Sequence, residues 1–135
     1  MSGLSFDKIG DTGIFIGSYL SLEDISVIAK SGITGVLVLQ TEEDFHYSMI
    51  DFPKMLDEYR KNSIEVIHFP IVDYDDNELR AKLHDSAKLL DKMVKQGLKV
   101  YVHCTAGMGR APSVVITYLC LFKGMEVNQA ELFVR

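Results

Sequence analysis

The hydrophobic positions of this chain fall into short unbroken runs separated by segments of helical period, the alternation that builds a layered sheet-and-helix domain. Gly13-Ile14-Phe15-Ile16-Gly17 reads as a short strand, and Gly35-Val36-Leu37-Val38-Leu39 is a continuous apolar run of the kind buried on both faces. Ile64-Glu65-Val66-Ile67-His68 and Lys99-Val100-Tyr101-Val102-His103 are strand-like as well. Ser21-Leu22-Glu23-Asp24 has the form of a capping box and opens a helix that stops near Gly32. Asp51 caps a second helix, with Pro53 in its first turn and Leu56 and Tyr59 facing inward. The longest helix runs from Asn77 to Gln96, capped by Asp76 or Asn77, with Leu79, Leu83, Ala87, Leu90 and Val94 as its core stripe and Gly97 as its stop. Ala111 to Lys123 is a further apolar helix with Pro112 in its first turn, and Val127 to Arg135 begins another, amphipathic one. Strands alternating with helices predict an α/β fold with a mostly parallel central sheet flanked by helices.

Composition narrows the class. The 135 residues are 47% hydrophobic and 24% charged, which suits one compact domain over residues 1–135, without repeats or a low-complexity linker. The net charge of −5, with no basic cluster, argues against a nucleic-acid surface, so any attraction for an anion must be local. No apolar run is long enough for a bilayer, and the first residues lack the basic and apolar regions of a signal peptide, so no membrane partner is expected. Two cysteines point to a reducing compartment, the cytoplasm, or a plastid if a transit peptide has been removed. Cys120 reads as core. His46, His68 and His84 have no metal-ligand spacing, so neither a metal nor an organic cofactor is expected, and the chain is expected to be a monomer.

One segment carries chemistry. In His103-Cys104-Thr105-Ala106-Gly107-Met108-Gly109-Arg110, a cysteine and an arginine bracket a glycine-containing loop between a strand and a helix. Such a loop turns the backbone N–H groups of Thr105 through Arg110 inward over the positive end of the helix, a cradle for a phosphate ion. Gly107 and Gly109 supply backbone freedom. The same field favours the thiolate of Cys104, a nucleophile at neutral pH, and the planar fork of Arg110 can clamp two phosphoryl oxygens. The plain alternative is a strand-to-helix turn with an inert buried cysteine.

His-Cys-x5-Arg between a strand and a helix resembles the cysteine-dependent phosphatases, and the small size is similar to their dual-specificity branch. That resemblance implies a dual-specificity phosphatase fold with the phosphate loop at the carboxyl edge of the sheet, and a catalytic domain lacking its closing C-terminal helix. It also implies a general acid on an upstream loop, for which Phe69-Pro70-Ile71-Val72-Asp73-Tyr74-Asp75-Asp76 fits. Asp73 is the candidate acid; Asp75 and Asp76 compete. His103 is assigned to ordering the loop. Ala111 stands where many relatives carry a Ser or Thr whose hydroxyl assists the sulfur as leaving group, a role Thr105 or Ser113 could take over.

Within the family, Cys-Thr-Ala-Gly-Met-Gly-Arg followed by Ala-Pro resembles the glucan phosphatases that act on starch or glycogen. Val38 to Tyr47 resembles the recognition loop of the plant starch phosphatases, and Ile71 to Asp75 their acid loop. Sugar rings present apolar CH faces, so aromatic side chains flanking a phosphate cradle would hold a glucan, with Tyr47 and Tyr74 as the candidate platforms. Phe45 reads as core. The expected substrate is a phosphorylated glucan. The alternatives are phosphotyrosine or phosphoserine/threonine in proteins, a phosphoinositide, or a silent phosphate-binding module.

Overall fold

The computed structural model describes Leu4, residues 6–105 and residues 109–134. The chain alternates strands and helices in the order β1 (Phe6–Ile9), β2 (Ile14–Gly17), α1 (Leu22–Lys30), β3 (Gly35–Val38), α2 (Glu42–Tyr47), α3 (Phe52–Lys61), β4 (Glu65–His68), α4 (Asp76–Lys95), β5 (Val100–His103), α5 (Arg110–Lys123) and α6 (Val127–Val134). The five strands form one sheet in the order β1-β2-β5-β3-β4. β2, β5, β3 and β4 pair in parallel, and β1 adds an antiparallel edge. β1, whose Phe6-Asp7-Lys8-Ile9 shows little alternation, is an element that the hydrophobic pattern does not announce.

Strand side chains alternate between two cores, which explains why the central runs are apolar throughout. On one face Ile14, Ile16, Leu37, Val100 and Val102 pack with Leu90 and Met93 of α4 and with Val114, Val115 and Tyr118 of α5. On the other, Phe15, Val36, Val38 and Tyr101 pack with Ile25 and Ile28 of α1 and with Met55 and Tyr59 of α3. In α3 the buried pair is Met55 and Tyr59, an i, i+4 pair, and Leu56 is only half-buried, so the inward residue expected at 56 sits one position earlier. In α4, Ala87 and Leu90 are fully buried, whereas Leu79, Leu83 and Val94 pack at the margin. Cys120 is half-buried against the same core.

Caps fix where the loops begin. Ser21 donates its backbone N–H to Asp24 Oδ2 at 2.8 Å, as the capping-box reading requires. Asp51 accepts from Lys54 N at 3.2 Å ahead of Pro53. α4 is capped by Asp75, which accepts from Glu78 N at 3.0 Å, so neither Asp76 nor Asn77 is the cap; both lie in the first helical turn. Gly17 ends β2 against Tyr101: a Cβ there would lie 2.1 Å from the Tyr101 hydroxyl, which donates to Ser18 O at 2.8 Å. Only a glycine permits that approach. Among the described residues no helix is long and apolar enough to cross a membrane.

Beyond the strands the parallel ladder continues for a few residues. Leu39 N donates to His103 O at 3.0 Å, Phe69 N to Val38 O at 2.9 Å and Ile71 N to Leu39 O at 3.0 Å. The segments leaving β3, β4 and β5 therefore emerge side by side at the carboxyl edge of the sheet, where parallel α/β folds place ligands.

Candidate active site

The side chain at the centre of this edge is Arg110, the first residue of α5 and 3% exposed. Its Nη1 donates to Asp44 Oδ2 at 2.7 Å, to Ile71 O at 2.7 Å and, at the limit of range, to Leu39 O at 3.5 Å. Nη2 donates to Thr105 Oγ1 at 3.3 Å and lies 3.6 Å from Asp73 Oδ2. Nε is buried with no hydrogen-bond partner among the described residues. One end of the guanidinium is thus saturated by the protein, and a donor edge is left over for something else. Burial works against the charge of Arg110, but the hydrogen bond to Asp44 and the charges of Asp44, Cys104 and Asp73 outweigh it and raise its pKa above the usual value.

Cys104 follows the last residue of β5 and is 3% exposed. Thr105 comes next, and its hydroxyl is fully engaged: it donates to Asp44 Oδ1 at 3.3 Å and accepts from Gln40 Nε2 at 3.4 Å and from Arg110 Nη2. Ala106, Gly107 and Met108 lie outside the described residues. Gly109 is the N-cap of α5 with φ −123° and ψ −80°, and a Cβ there would meet nothing within 4 Å among the described residues. The first turn of α5 has no acidic residue to occupy its N–H groups, which keeps that helix end available to an anion.

His103 is 2% exposed at the end of β5. Its Nδ1 donates to Cys104 O at 3.0 Å, tying the ring to the backbone of the cysteine, while Nε2 has no partner among the described residues. Burial lowers its pKa to about 4, so the ring is neutral at physiological pH and is not an acid in waiting.

Asp73 sits in the loop between β4 and α4 with its side chain 39% exposed. Its Oδ1 accepts from Tyr74 N at 3.1 Å. The loop is tied to α4 from both sides: Val72 N donates to Glu78 Oε1 at 3.3 Å, and Lys82 Nζ donates to Pro70 O at 2.9 Å. Tyr74 holds φ +58°, a left-handed backbone seldom adopted by an aromatic residue, which turns its ring out to 99% exposure. Across the opening stands Tyr47, 86% exposed. A cleft of about 390 Å³ lies between them, lined by Asp44, Tyr47, Val72, Asp73, Tyr74 and Thr105.

Of the residues expected from sequence, Thr105 and Asp73 meet the guanidinium of Arg110, Cys104 adjoins Thr105 at the end of β5, Tyr47 and Tyr74 line the cleft, and Phe45 is buried as core. Asp44 is the residue that sequence reasoning did not single out. Thr41-Glu42-Glu43-Asp44 is a capping box: Thr41 N donates to Asp44 Oδ2 at 2.8 Å, and Asp44 N to Thr41 Oγ1 at 3.2 Å. The same signature that announces α1 in the sequence announces α2, inside the segment that resembles a recognition loop. Burial alone would raise the pKa of Asp44, but the hydrogen bond from Arg110 and those from Thr41 win and lower it, so it stays ionised.

A thiol at a strand end, an arginine opening the next helix and a carboxylate delivered from a neighbouring loop define the architecture of a cysteine-dependent phosphatase. The chain belongs to the family "Dual specificity phosphatase, catalytic domain", whose model it matches over residues 14–135. It is similar to the chloroplastic phosphoglucan phosphatase LSF1 of Arabidopsis thaliana, 32% identical over 133 residues that make up 98% of this chain and 22% of that protein. It is likewise similar to the amyloplastic phosphoglucan phosphatase DSP4 of Castanea sativa, 32% identical over 87% of this chain and 32% of the relative. The chain thus spans less than a third of the length of these two relatives. The solved structure of Tk-PTP in its active form superposes with a TM-score of 0.78 at 26% identity, covering 97% of this chain and 82% of that one.

Proposed function

We propose that this domain hydrolyses phosphate monoesters of a phosphorylated glucan through a phosphocysteine intermediate. Cys104 Sγ attacks phosphorus and forms the S–P bond as the P–O bond to the sugar breaks, and Asp73 gives its proton to the departing oxygen. Asp73, now a carboxylate, takes a proton from water as that water attacks phosphorus; the P–S bond breaks, releasing inorganic phosphate and the thiolate. Arg110 clamps the phosphoryl group through its Nε and Nη2 edge, and the N-terminus of α5 with the loop amides holds the remaining charge. His103 orders the loop through the Cys104 carbonyl.

The observation that carries the glucan reading is the cleft. Two almost fully exposed tyrosines line an opening about 390 Å³ in volume whose walls include Asp44, Asp73 and Thr105, the three side chains that meet the arginine. Exposed aromatic rings at a site mouth suit the CH faces of sugars. Two relatives named as phosphoglucan phosphatases support the same choice. Their names also place them in plastids, and a plastid or the cytoplasm, both reducing, is the compartment we propose for this chain, acting as a monomer.

Phosphate release from phosphorylated amylopectin and from a phosphotyrosyl peptide, each normalised to a small aryl phosphate, tests this directly. The wild type should prefer the glucan, and Tyr47→Ala/Tyr74→Ala should lower glucan kcat/KM by about tenfold or more while sparing the aryl phosphate, the loss expected of two aromatic contacts. Release from the peptide with none from the glucan would leave a protein phosphatase.

A further inference from the structure

We infer that Asp44 is a positioning residue for Arg110: it holds the Nη1 end of the guanidinium and so presents the opposite, Nε and Nη2, edge to the phosphoryl group. This rests on the proposed role of Arg110 as phosphate clamp, and adds to it the group that sets the clamp's orientation.

The contact pattern separates Asp44 from the other partners of Arg110. Nη1 meets two backbone carbonyls, Ile71 O and Leu39 O, and one charged group, Asp44, at 2.7 Å. Asp73 is the other carboxylate nearby, at 3.6 Å from Nη2. Asp73 must be protonated whenever it serves as general acid, and in that state it offers a buried guanidinium no counter-charge. Asp44 is kept ionised by Arg110 and Thr41, so it remains the counter-ion through the cycle. Its side chain is only 17% exposed and is fixed three ways, by Thr41 N, Thr41 Oγ1 and Arg110 Nη1 on a single oxygen. The other oxygen accepts from Thr105 Oγ1, the residue after the cysteine, so one carboxylate sets both ends of the loop.

Helix α2 makes this rigid. Phe45, the residue after Asp44, is 3% exposed and stacks on Phe52 of α3 with ring centroids 4.6 Å apart. Tyr47, one turn on from Asp44, projects into the cleft. A single short helix therefore anchors in the core, orients the arginine and carries one wall of the substrate opening.

A charge argument makes the inference testable by sign. Coulomb's law alone says that removing a carboxylate from an anion site tightens phosphate binding. A positioning role says the reverse, because a freed guanidinium loses its preset orientation. The readout is the competitive inhibition constant of inorganic phosphate, with kcat on a small aryl phosphate and a thermal midpoint for each variant. Asp44→Ala should raise the inhibition constant by about tenfold or more and lower kcat, and Asp44→Asn, which keeps an acceptor for Nη1, should fall between it and wild type. Asp51→Ala removes the cap of the neighbouring helix α3, where Asp51 accepts from Lys54 N, and touches neither Asp44 nor Arg110; it should lower the thermal midpoint and leave the inhibition constant within about twofold. Phosphate binding that is unchanged or tighter in Asp44→Ala, or weakened equally in Asp51→Ala, overturns the inference. If Asp44→Ala does not fold, Asp44→Asn decides alone, with unchanged or tighter binding overturning it. Arg110→Ala in parallel distinguishes the two failures: loss of phosphate binding there with none in Asp44→Ala defeats this inference only, whereas intact binding in Arg110→Ala defeats the clamp itself.

Discussion

Replacing Arg110 by lysine preserves a positive charge and removes a shape, which makes it the sharpest test of the clamp. A lysine ammonium can reach one of the two Nη1 acceptors, Asp44 Oδ2 or Ile71 O, and has no planar second edge to offer the substrate. What is lost is the Nε and Nη2 pair, which among the described residues is one donor without a partner and one that meets Thr105 at 3.3 Å and Asp73 at 3.6 Å. Two charge-assisted hydrogen bonds made to the transferring phosphoryl group are each worth about 1.5–3 kcal/mol. Their loss amounts to about 3–6 kcal/mol of transition-state stabilisation, or roughly a 10²- to 10⁴-fold drop in kcat/KM. The assay is steady-state hydrolysis of a small aryl phosphate by Arg110→Lys, with circular dichroism to confirm that the variant is folded. A folded variant that loses less than about tenfold would refute the bidentate clamp, because charge alone would then suffice.

Asp73→Asn should cost about 10²- to 10⁴-fold in kcat/KM, which reports the leaving-group step, on a sugar phosphate and far less on an aryl phosphate, whose leaving oxygen needs no proton; equal losses in kcat/KM on both would reassign the acid. For His103 the folded pKa, about 4, is below its ordinary value of 6.5, so the unfolded chain binds the proton more tightly and stability falls as pH drops through that window. Urea unfolding should show a loss of about 2 kcal/mol between pH 7 and pH 5 that is absent in His103→Gln, and an identical pH slope in the variant would contradict it. Ala111 is fully buried in the first turn of α5, the Thr105 hydroxyl donates to Asp44, and Ser113 donates to Gly109 O at 2.9 Å, so neither hydroxyl is aimed at sulfur. A pre-steady-state burst followed by slow turnover is expected, with Ala111→Ser shrinking the burst and raising kcat; turnover without a burst in the wild type would show that phosphocysteine hydrolysis is not limiting.

The parts of this fold that could be read from sequence are those where one local rule dominates. Runs such as Val36-Leu37-Val38-Leu39 are apolar at every position because both faces are covered, and no helix of that length could use them. The cysteine and arginine were legible because a loop between a strand and a helix turns a spacing in sequence into a distance in space. β1 was not legible, since an antiparallel edge strand needs only one buried face, and its exposed Asp7 and Lys8 conceal it. The cap of α4 was misplaced among three adjacent residues, Asp75, Asp76 and Asn77, that all favour that position. Asp44 was hidden for a different reason: its partner is 66 residues away, so its local pattern announces only a helix cap, while its contact with Arg110 exists only once β3 and β5 lie side by side.

The central claim is that Cys104 carries the phosphoryl group taken from a glucan. The most direct measurement is acid quenching of the domain during turnover of amylopectin bearing radiolabelled phosphate, followed by peptide mapping of the labelled protein. Label on the peptide containing Cys104, absent from Cys104→Ser and increased in Ala111-containing wild type relative to Ala111→Ser, is the expected result. Release of labelled phosphate from the glucan with no label on that peptide would contradict the account.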